Sequence, residues 1–154
     1  MDITELSQGG YLVAKVHQLA NRVFAKMLKE YGIEEINPAQ GRILFALWQG
    51  DGISIQELSE RTSLKKTTMS SMLNRLEAGG HVWRQTSRAD RRETLIYLTE
   101  KDRLMRDQYN RVSEQMSELF YRGLEQEEII RFERTLERIL ENLLVAEQSQ
   151  RASY

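Results

Sequence analysis

Residues 54–98 read SIQELSERTSLKKTTMSSMLNRLEAGGHVWRQTSRADRRETLIYL, and the fold turns on how this stretch divides. Ser54-Ile55-Gln56-Glu57 has the form of a capping box, in which a Ser hydroxyl and a Glu carboxylate satisfy each other's backbone donors. A short helix is therefore expected from about Ile55 to Arg61. After Thr62-Ser63-Leu64 a longer helix is expected from about Lys65 to Ala78, with Met69, Met72, Leu73 and Leu76 on its buried face and Gly79-Gly80 ending it. Residues 81–86 and 93–98 are short β-prone runs on either side of Ser87-Arg88-Ala89-Asp90-Arg91-Arg92. That charged loop is too long for a two-residue turn, so the runs read as a hairpin with a projecting tip, or wing. Two helices joined by a three-residue turn form a helix-turn-helix; with the hairpin they form a winged helix. Ser59, Ser63 and Met69 stand where such motifs commonly carry Ala, Gly and a β-branched residue, and each keeps a small or apolar character.

Helices flank this unit on both sides. From about Tyr11 to Tyr31, Leu12, Val16, Leu19, Val23, Phe24, Met27 and Leu28 recur three and four apart, which predicts an amphipathic helix closed by Gly32. Asn37, Pro38 and Gln40 mark the start of a second helix through Ile43, Leu44, Leu47 and Trp48, which Gly50-Asp51-Gly52 ends. A fifth helix starts at Thr99 and carries Leu104, Met105, Tyr109, Val112, Met116, Leu119 and Phe120 up to Gly123. The sixth places Ile129, Phe132, Leu136, Ile139, Leu140 and Leu143 close to a heptad pattern. The expected fold class is mainly α with a small β-hairpin. One domain over 1–154 is expected, with the winged helix at about 36–99 and the flanking helices at about 8–32 and 100–147.

The charge distribution gives the first functional indication. The chain of 154 residues has a net charge of -1, yet counting by segment gives -3 for 1–60, +6 for 61–92 and -4 for 93–154. A basic segment inside an acidic chain is the electrostatic footprint of a phosphate-binding surface, although a solvated basic face has the same composition. On the fourth helix, Lys65 and Lys66 can reach phosphates, while Thr67, Thr68, Ser70, Ser71, Asn74 and Arg75 offer hydrogen-bonding groups toward base edges. Ser and Thr are mediocre helix formers, so a helix that carries so many of them has another reason to do so. At the wing, Arg88, Arg91 and Arg92 exceed what a solubilising turn needs, and an arginine there can enter a narrow minor groove with Asp90 orienting it or closing the turn.

Composition excludes several alternatives. No cysteine is present, which rules out a disulfide scaffold, a thiolate nucleophile and thiol redox sensing. No apolar run approaches the roughly 20 residues that span a bilayer, so no membrane partner is expected. No secretory signal is visible, which makes the cytoplasm the expected compartment. Neither a glycine-rich phosphate loop, a nucleophile elbow nor a metal-binding His pair occurs, so no enzymatic activity and no cofactor are expected.

Residues 54–102 resemble the multiple antibiotic resistance regulator (MarR) family of bacterial winged-helix transcription factors. The matching run is Glu57-Leu58, Leu76-Glu77-Ala78-Gly79-Gly80, and Asp90-Arg91-Arg92 leading to Leu98-Thr99-Glu100-Lys101. The order of elements is similar to this family over nearly the whole chain; Asp102, where the family often has Gly, departs from it. The resemblance implies a homodimer with interleaved terminal helices, binding double-stranded DNA at an inverted repeat and acting more often as a repressor than an activator. It also implies that Arg92 is the minor-groove arginine, Asp90 its orienting partner and the fourth helix the major-groove reader. The competing reading is a helical dimeric interaction module whose winged helix binds protein. Family members respond variously to phenolic anions, other small molecules, thiol oxidation or metal. With His17 and His81 on separate elements, a small molecule of unspecified identity is the effector class that stays open. His17, Trp48, Met105 and Tyr109 could line its pocket, but core packing explains them equally well and none is assigned as a ligand contact.

Overall fold

The computed structural model describes residues 8–153; residues 1–7 and 154 of the expected domain lie outside them. Six helices and three strands follow in the order α1 (Gln8–Glu30), α2 (Pro38–Trp48), β1 (Ile53–Ser54), α3 (Ile55–Thr62), α4 (Lys66–Ala78), β2 (Val82–Thr86), β3 (Thr94–Leu98), α5 (Glu100–Phe120) and α6 (Gln126–Ala152). The chain forms two compact units, one ending at Met116 and one beginning at Ser117.

In the first unit the local signals act largely as their chemistry dictates. Asn37 Oδ1 accepts from Gln40 N–H at 2.8 Å and Gln40 Oε1 accepts from Asn37 N–H at 3.0 Å, a complete capping box. At Ser54 only half of the expected box exists. Ser54 Oγ accepts from Glu57 N–H at 3.1 Å, but Glu57 Oε1 takes Arg61 Nη2 at 2.8 Å one turn further along. The i,i+4 ion pair outcompetes the return bond. Ser63, in the turn between α3 and α4, is left-handed with φ +56, which explains why Gly is common at that place in such motifs.

The hairpin is present and is joined by a third strand that the sequence did not signal. The sheet is antiparallel in the order β1-β3-β2, with Ile53 opposite Ile96 and Val82 opposite Leu98. A two-residue strand carries no periodicity of its own; it forms because Gly52, at φ +73, turns the chain so that its N–H reaches Ile96 C=O at 2.7 Å. Asp51 Oδ2 secures the same edge by accepting from Leu98 N–H at 2.9 Å.

The core collects Leu28 from α1, Ile43, Leu44 and Leu47 from α2, Leu58 from α3, Met69, Leu73 and Leu76 from α4, Val82 and Ile96 from the sheet, and Tyr109 and Val112 from α5. Met72, expected on the buried face of α4, is only half-buried; three positions already fill that face. The helix α2 meets α5 closely at Gly41, where an added Cβ would lie 1.8 Å from Tyr109 Oη and 2.7 Å from its Cζ. Gly41→Ala is therefore expected to destabilise the fold by about 1–3 kcal/mol through overpacking. Thermal melting checks this, with partial recovery expected in the Gly41→Ala, Tyr109→Phe double variant.

In the second unit Gly123, at φ +84, turns the chain, and Glu125 N–H donates to Glu128 Oε2 at 2.8 Å in a capping box at the start of α6. Phe120, Tyr121 and Phe132 cluster there, with Tyr121 Oη donating to Glu133 Oε1 at 2.8 Å. That bond, with burial as the larger cause, raises the Tyr121 pKa. Along α6, Ile130, Ile139, Leu140 and Leu143 are exposed, as are Leu12, Val16 and Leu19 along α1. No helix among the described residues is long and apolar enough to cross a membrane.

Candidate nucleic-acid interface

The helix α4 starts at the left-handed turn of Ser63 and is anchored by Met69, Leu73 and Leu76, so its opposite face is presented outward. On that face Lys65, Lys66, Thr67, Thr68, Ser71, Asn74 and Arg75 are exposed, while Ser70 is half-buried at its margin. Lys65 occupies the N-cap position and makes no side-chain capping bond. The first-turn amides consequently keep their donors and the positive end of the helix dipole, beside two lysines. An anion approaching this end meets two cationic side chains and oriented N–H groups.

The wing is built by Ser87. Its side chain is buried, its Oγ accepts from Ala89 N–H at 3.2 Å and from Asp90 N–H at 3.3 Å, and its own N–H donates to Glu93 C=O at 2.9 Å. These bonds close the tip and leave Arg88, Arg91 and Arg92 exposed. Asp90 Oδ1 accepts from both Arg92 N–H at 3.0 Å and Arg92 Nε at 3.2 Å. Those two contacts, the backbone bond first, hold the Asp90 carboxyl below its ordinary range. The structure thus brings Asp90 and Arg92 together, while the Arg92 side chain remains 92% exposed.

Two basic residues of the 61–92 segment behave otherwise: Arg61 is paired with Glu57 on α3, and Arg84 is held against α4. Arg84, on β2, donates from Nη2 to Asn74 Oδ1 at 2.6 Å and lies 3.4 Å from Glu77 Oε2 through Nε. It spans from the wing to the last turns of α4. Strand parity would have found it: Arg84 shares the inward side of β2 with Val82, whereas Trp83 faces out and stacks on Tyr97 at 4.6 Å. Ser87 is the other residue that the sequence reading did not single out.

Behind the interface lies a buried polar cluster. Asp102 is 0% exposed and accepts from Trp48 Nε1 at 2.6 Å through Oδ2. Its Oδ1 lies 3.6 Å from Nδ1 of His81, which is 1% exposed and whose Nε2 is 3.2 Å from Glu35 Oε2. Lys101 Nζ donates to Glu35 Oε2 at 3.1 Å and to Gly79 C=O at 2.8 Å, capping the end of α4. Hydrogen bonds from Lys101 first and His81 second lower the Glu35 pKa, against a small opposing cost of burial. Asp102 is therefore more than a favourable charge in a first helical turn: it joins α2, the start of the wing and α5.

A cleft of about 650 Å³ opens between α1, α2, α3 and α5. Phe24, Phe45 and Tyr109 give it aromatic walls, and Asn21, Arg42 and Arg61 supply polar groups. Arg42 Nη2 donates to Asn21 Oδ1 at 3.0 Å. Burial pushes the Tyr109 hydroxyl up to about 12, against the opposing charge of Arg42. Of the four residues considered for a pocket, only Tyr109 lines this cleft; Trp48 and Met105 pack against the core, and His17 is exposed on α1. Among the described residues no group of three or more His, Asp or Glu could hold a metal ion.

These elements define a winged-helix protein with a basic, outward-facing α4 and an arginine-tipped wing. A family model described as the MarR family matches residues 35–93. The chain is 41% identical over 69 residues to the HTH-type transcriptional regulator TtmR of Methylorubrum extorquens, a match covering 45% of this chain and 35% of that protein. It is 33% identical over 95 residues to the exopolysaccharide II synthesis transcriptional activator ExpG of Rhizobium meliloti, covering 59% of this chain and 48% of that one. The chain thus spans less than half the length of these two relatives. Among solved structures, a mutant MarR from E. coli complexed with operator DNA superposes with a TM-score of 0.79 at 25% identity, covering 91% of this chain and 99% of that one. Residues 35–93 thus match the MarR family, and the chain shares its fold with the operator-bound MarR structure.

Proposed function

We propose that this chain is a sequence-specific double-stranded DNA-binding transcriptional regulator. The observation that carries this reading is the concentration of exposed positive charge on α4 and the tip of the wing, both in one unit of an otherwise acidic chain. Lys65 and Lys66 then hold phosphates, Thr67, Thr68, Ser70, Ser71, Asn74 and Arg75 face base edges or the adjacent backbone, and Arg92 enters the minor groove with Arg88 and Arg91 beside it. The names of the relatives and the operator-bound neighbour support this reading over a protein-binding winged helix. Binding measured on duplex DNA from the chain's own upstream region, at several salt concentrations, tests it. Affinity is expected to fall steeply with salt, because each neutralised phosphate releases counterions. Undetectable or salt-independent binding to every duplex would sink the proposal.

The functional form is a homodimer in the cytoplasm, repressing from a pseudo-palindromic operator whose half-sites lie about one DNA turn, roughly 34 Å, apart. The exposed apolar positions of α1 and α6 support a second copy as their cover, since a lone chain would leave an apolar surface of the kind that marks interfaces. Within this scheme the whole of 1–154 is one functional domain, its winged helix at about 36–99 and its dimerisation helices at about 8–32 and 100–147. Removing residues 125–154 is expected to abolish dimers in sedimentation; a stable truncated dimer would contradict this assignment. A small molecule that releases the DNA finds its place in the aromatic cleft between α1, α2, α3 and α5, where Arg42 favours an anionic group.

A further inference from the structure

We infer that Arg84 is a positioning residue for base recognition and not a phosphate contact, and that it acts by fixing the Asn74 amide. This inference rests on the DNA-binding reading above. Arg84 belongs by composition to the basic segment, so its default role would be one more cation for the backbone. The geometry assigns it differently. Its guanidinium lies against α4, with Nη2 donating to Asn74 Oδ1 at 2.6 Å and Nε 3.4 Å from Glu77 Oε2. The Arg84 Nε is buried and meets Glu77 as an ion pair without a hydrogen bond, and the residue starts from the inward side of β2, opposite the buried Ile96. Glu77 offsets its charge. A guanidinium with Nη2 on the Asn74 amide and its charge offset by Glu77 is poorly disposed to a phosphate.

The consequence falls on Asn74. A guanidinium has donors only, so the end of the Asn74 amide that faces it must be the oxygen. With Oδ1 turned toward the wing, the amide NH2 is the end left for the groove. Asn74 lies on the same exposed stripe of α4 as Thr67 and Ser71, at helical spacings of four and three residues. An unrestrained Asn can pair with adenine through both ends, accepting from N6 and donating to N7. Held by Arg84, Asn74 presents a donor, which suits acceptors on base edges (guanine O6 and N7, thymine O4 or adenine N7) and gives up the second bond that marks adenine. Arg84 thereby converts an ambiguous side chain into one with a defined polarity, and it locks the wing to the reading helix while doing so.

The test compares the full-length protein with Arg84→Met, Arg84→Lys, Asn74→Ala and the Arg84→Lys, Asn74→Ala double variant. Preferred duplexes are selected from a randomised pool, and affinities for selected and scrambled duplexes are then measured across salt. We expect Arg84→Met, Arg84→Lys and Asn74→Ala each to lose base preference at the same position of the half-site. The ratio of selected to scrambled binding should fall about tenfold, within the range of one lost base contact, with the salt slope unchanged. The double variant should be no worse than either single one, because the two residues act as a unit. A phosphate-contacting Arg84 gives the opposite pattern: Arg84→Lys keeps wild-type behaviour, and Arg84→Met lowers the salt slope by about one without changing base preference. Either result overturns the inference while leaving DNA binding intact. Asn74 is exposed, so Asn74→Ala decides the matter even if Arg84→Met fails to fold; unchanged preference in that variant also overturns it. A wild-type chain that binds no duplex overturns the DNA-binding reading itself, and the inference with it.

Discussion

Arg92→Ala should weaken binding to a preferred duplex about 10- to 100-fold, the loss of roughly 1–3 kcal/mol expected for one well-placed arginine in a groove. The folded protein should be unaffected, because Arg92 projects from the wing and is almost fully exposed. Its strength lies in preorganisation: Asp90 Oδ1 holds both the backbone N–H and Nε of Arg92, so the guanidinium leaves the tip in a set direction. Arg92→Lys should recover only part of the loss, since an ammonium lacks the planar fork. Asp90→Ala should fall between wild type and Arg92→Ala, because the cation remains but its direction is lost. The bonds to Arg92 depress the Asp90 pKa, so the contact is present at neutral pH and is lost only as pH falls through that lowered value. Electrophoretic or fluorescence titrations decide the point. An Arg92→Ala variant with wild-type affinity would remove the wing from the binding surface.

The largest effect on stability is expected at Asp102. Asp102→Ala leaves the Trp48 indole N–H and the His81 ring buried beside a void, at a cost of about 2–4 kcal/mol. Asp102→Asn retains an acceptor for Trp48 and should lose less than half of that. Thermal or denaturant unfolding monitored by tryptophan fluorescence reads both the stability and the surroundings of Trp48. Because His81 precedes β2 and its N–H donates to Leu76 C=O at the end of α4 at 2.9 Å, loosening this cluster should also loosen the reading helix. Specific DNA affinity should drop in Asp102→Ala even at temperatures where the variant is folded. A variant as stable as wild type would show that the cluster is not an anchor.

The contrast between Asn37 and Asp102 shows what could be read from sequence. Asn37, Pro38 and Gln40 announce a helix start because each partner lies within three residues, and the capping box is there as expected. Asp102 is equally local in appearance, a carboxylate in a first helical turn, and that reading captures little of its role. Its partners, Trp48 and His81, lie 54 and 21 positions away, and no spacing rule connects them. Glu57 makes the intermediate case: two local partners were in reach, and the helical neighbour Arg61 was taken over Ser54.

The site divides in the same way. Helical period and the charge of each segment identified the exposed face of α4 and the arginine-rich tip, since both depend on residues close in the chain. The pairing of Asp90 with Arg92, two residues apart, belongs to the same category. The sequence by itself thus determined the helices, their apolar faces, the hairpin and the location of the positive charge, all properties set by local periodicity and composition. Only the tertiary structure decided that Ile53–Ser54 would join the sheet, that Arg84 would bind Asn74 instead of facing outward, and that Asp102 would be buried with Trp48 and His81. Each of these depends on which distant backbone and side-chain groups become neighbours when the core closes, and on the hydrogen bonds that groups such as the Trp48 indole N–H then find there.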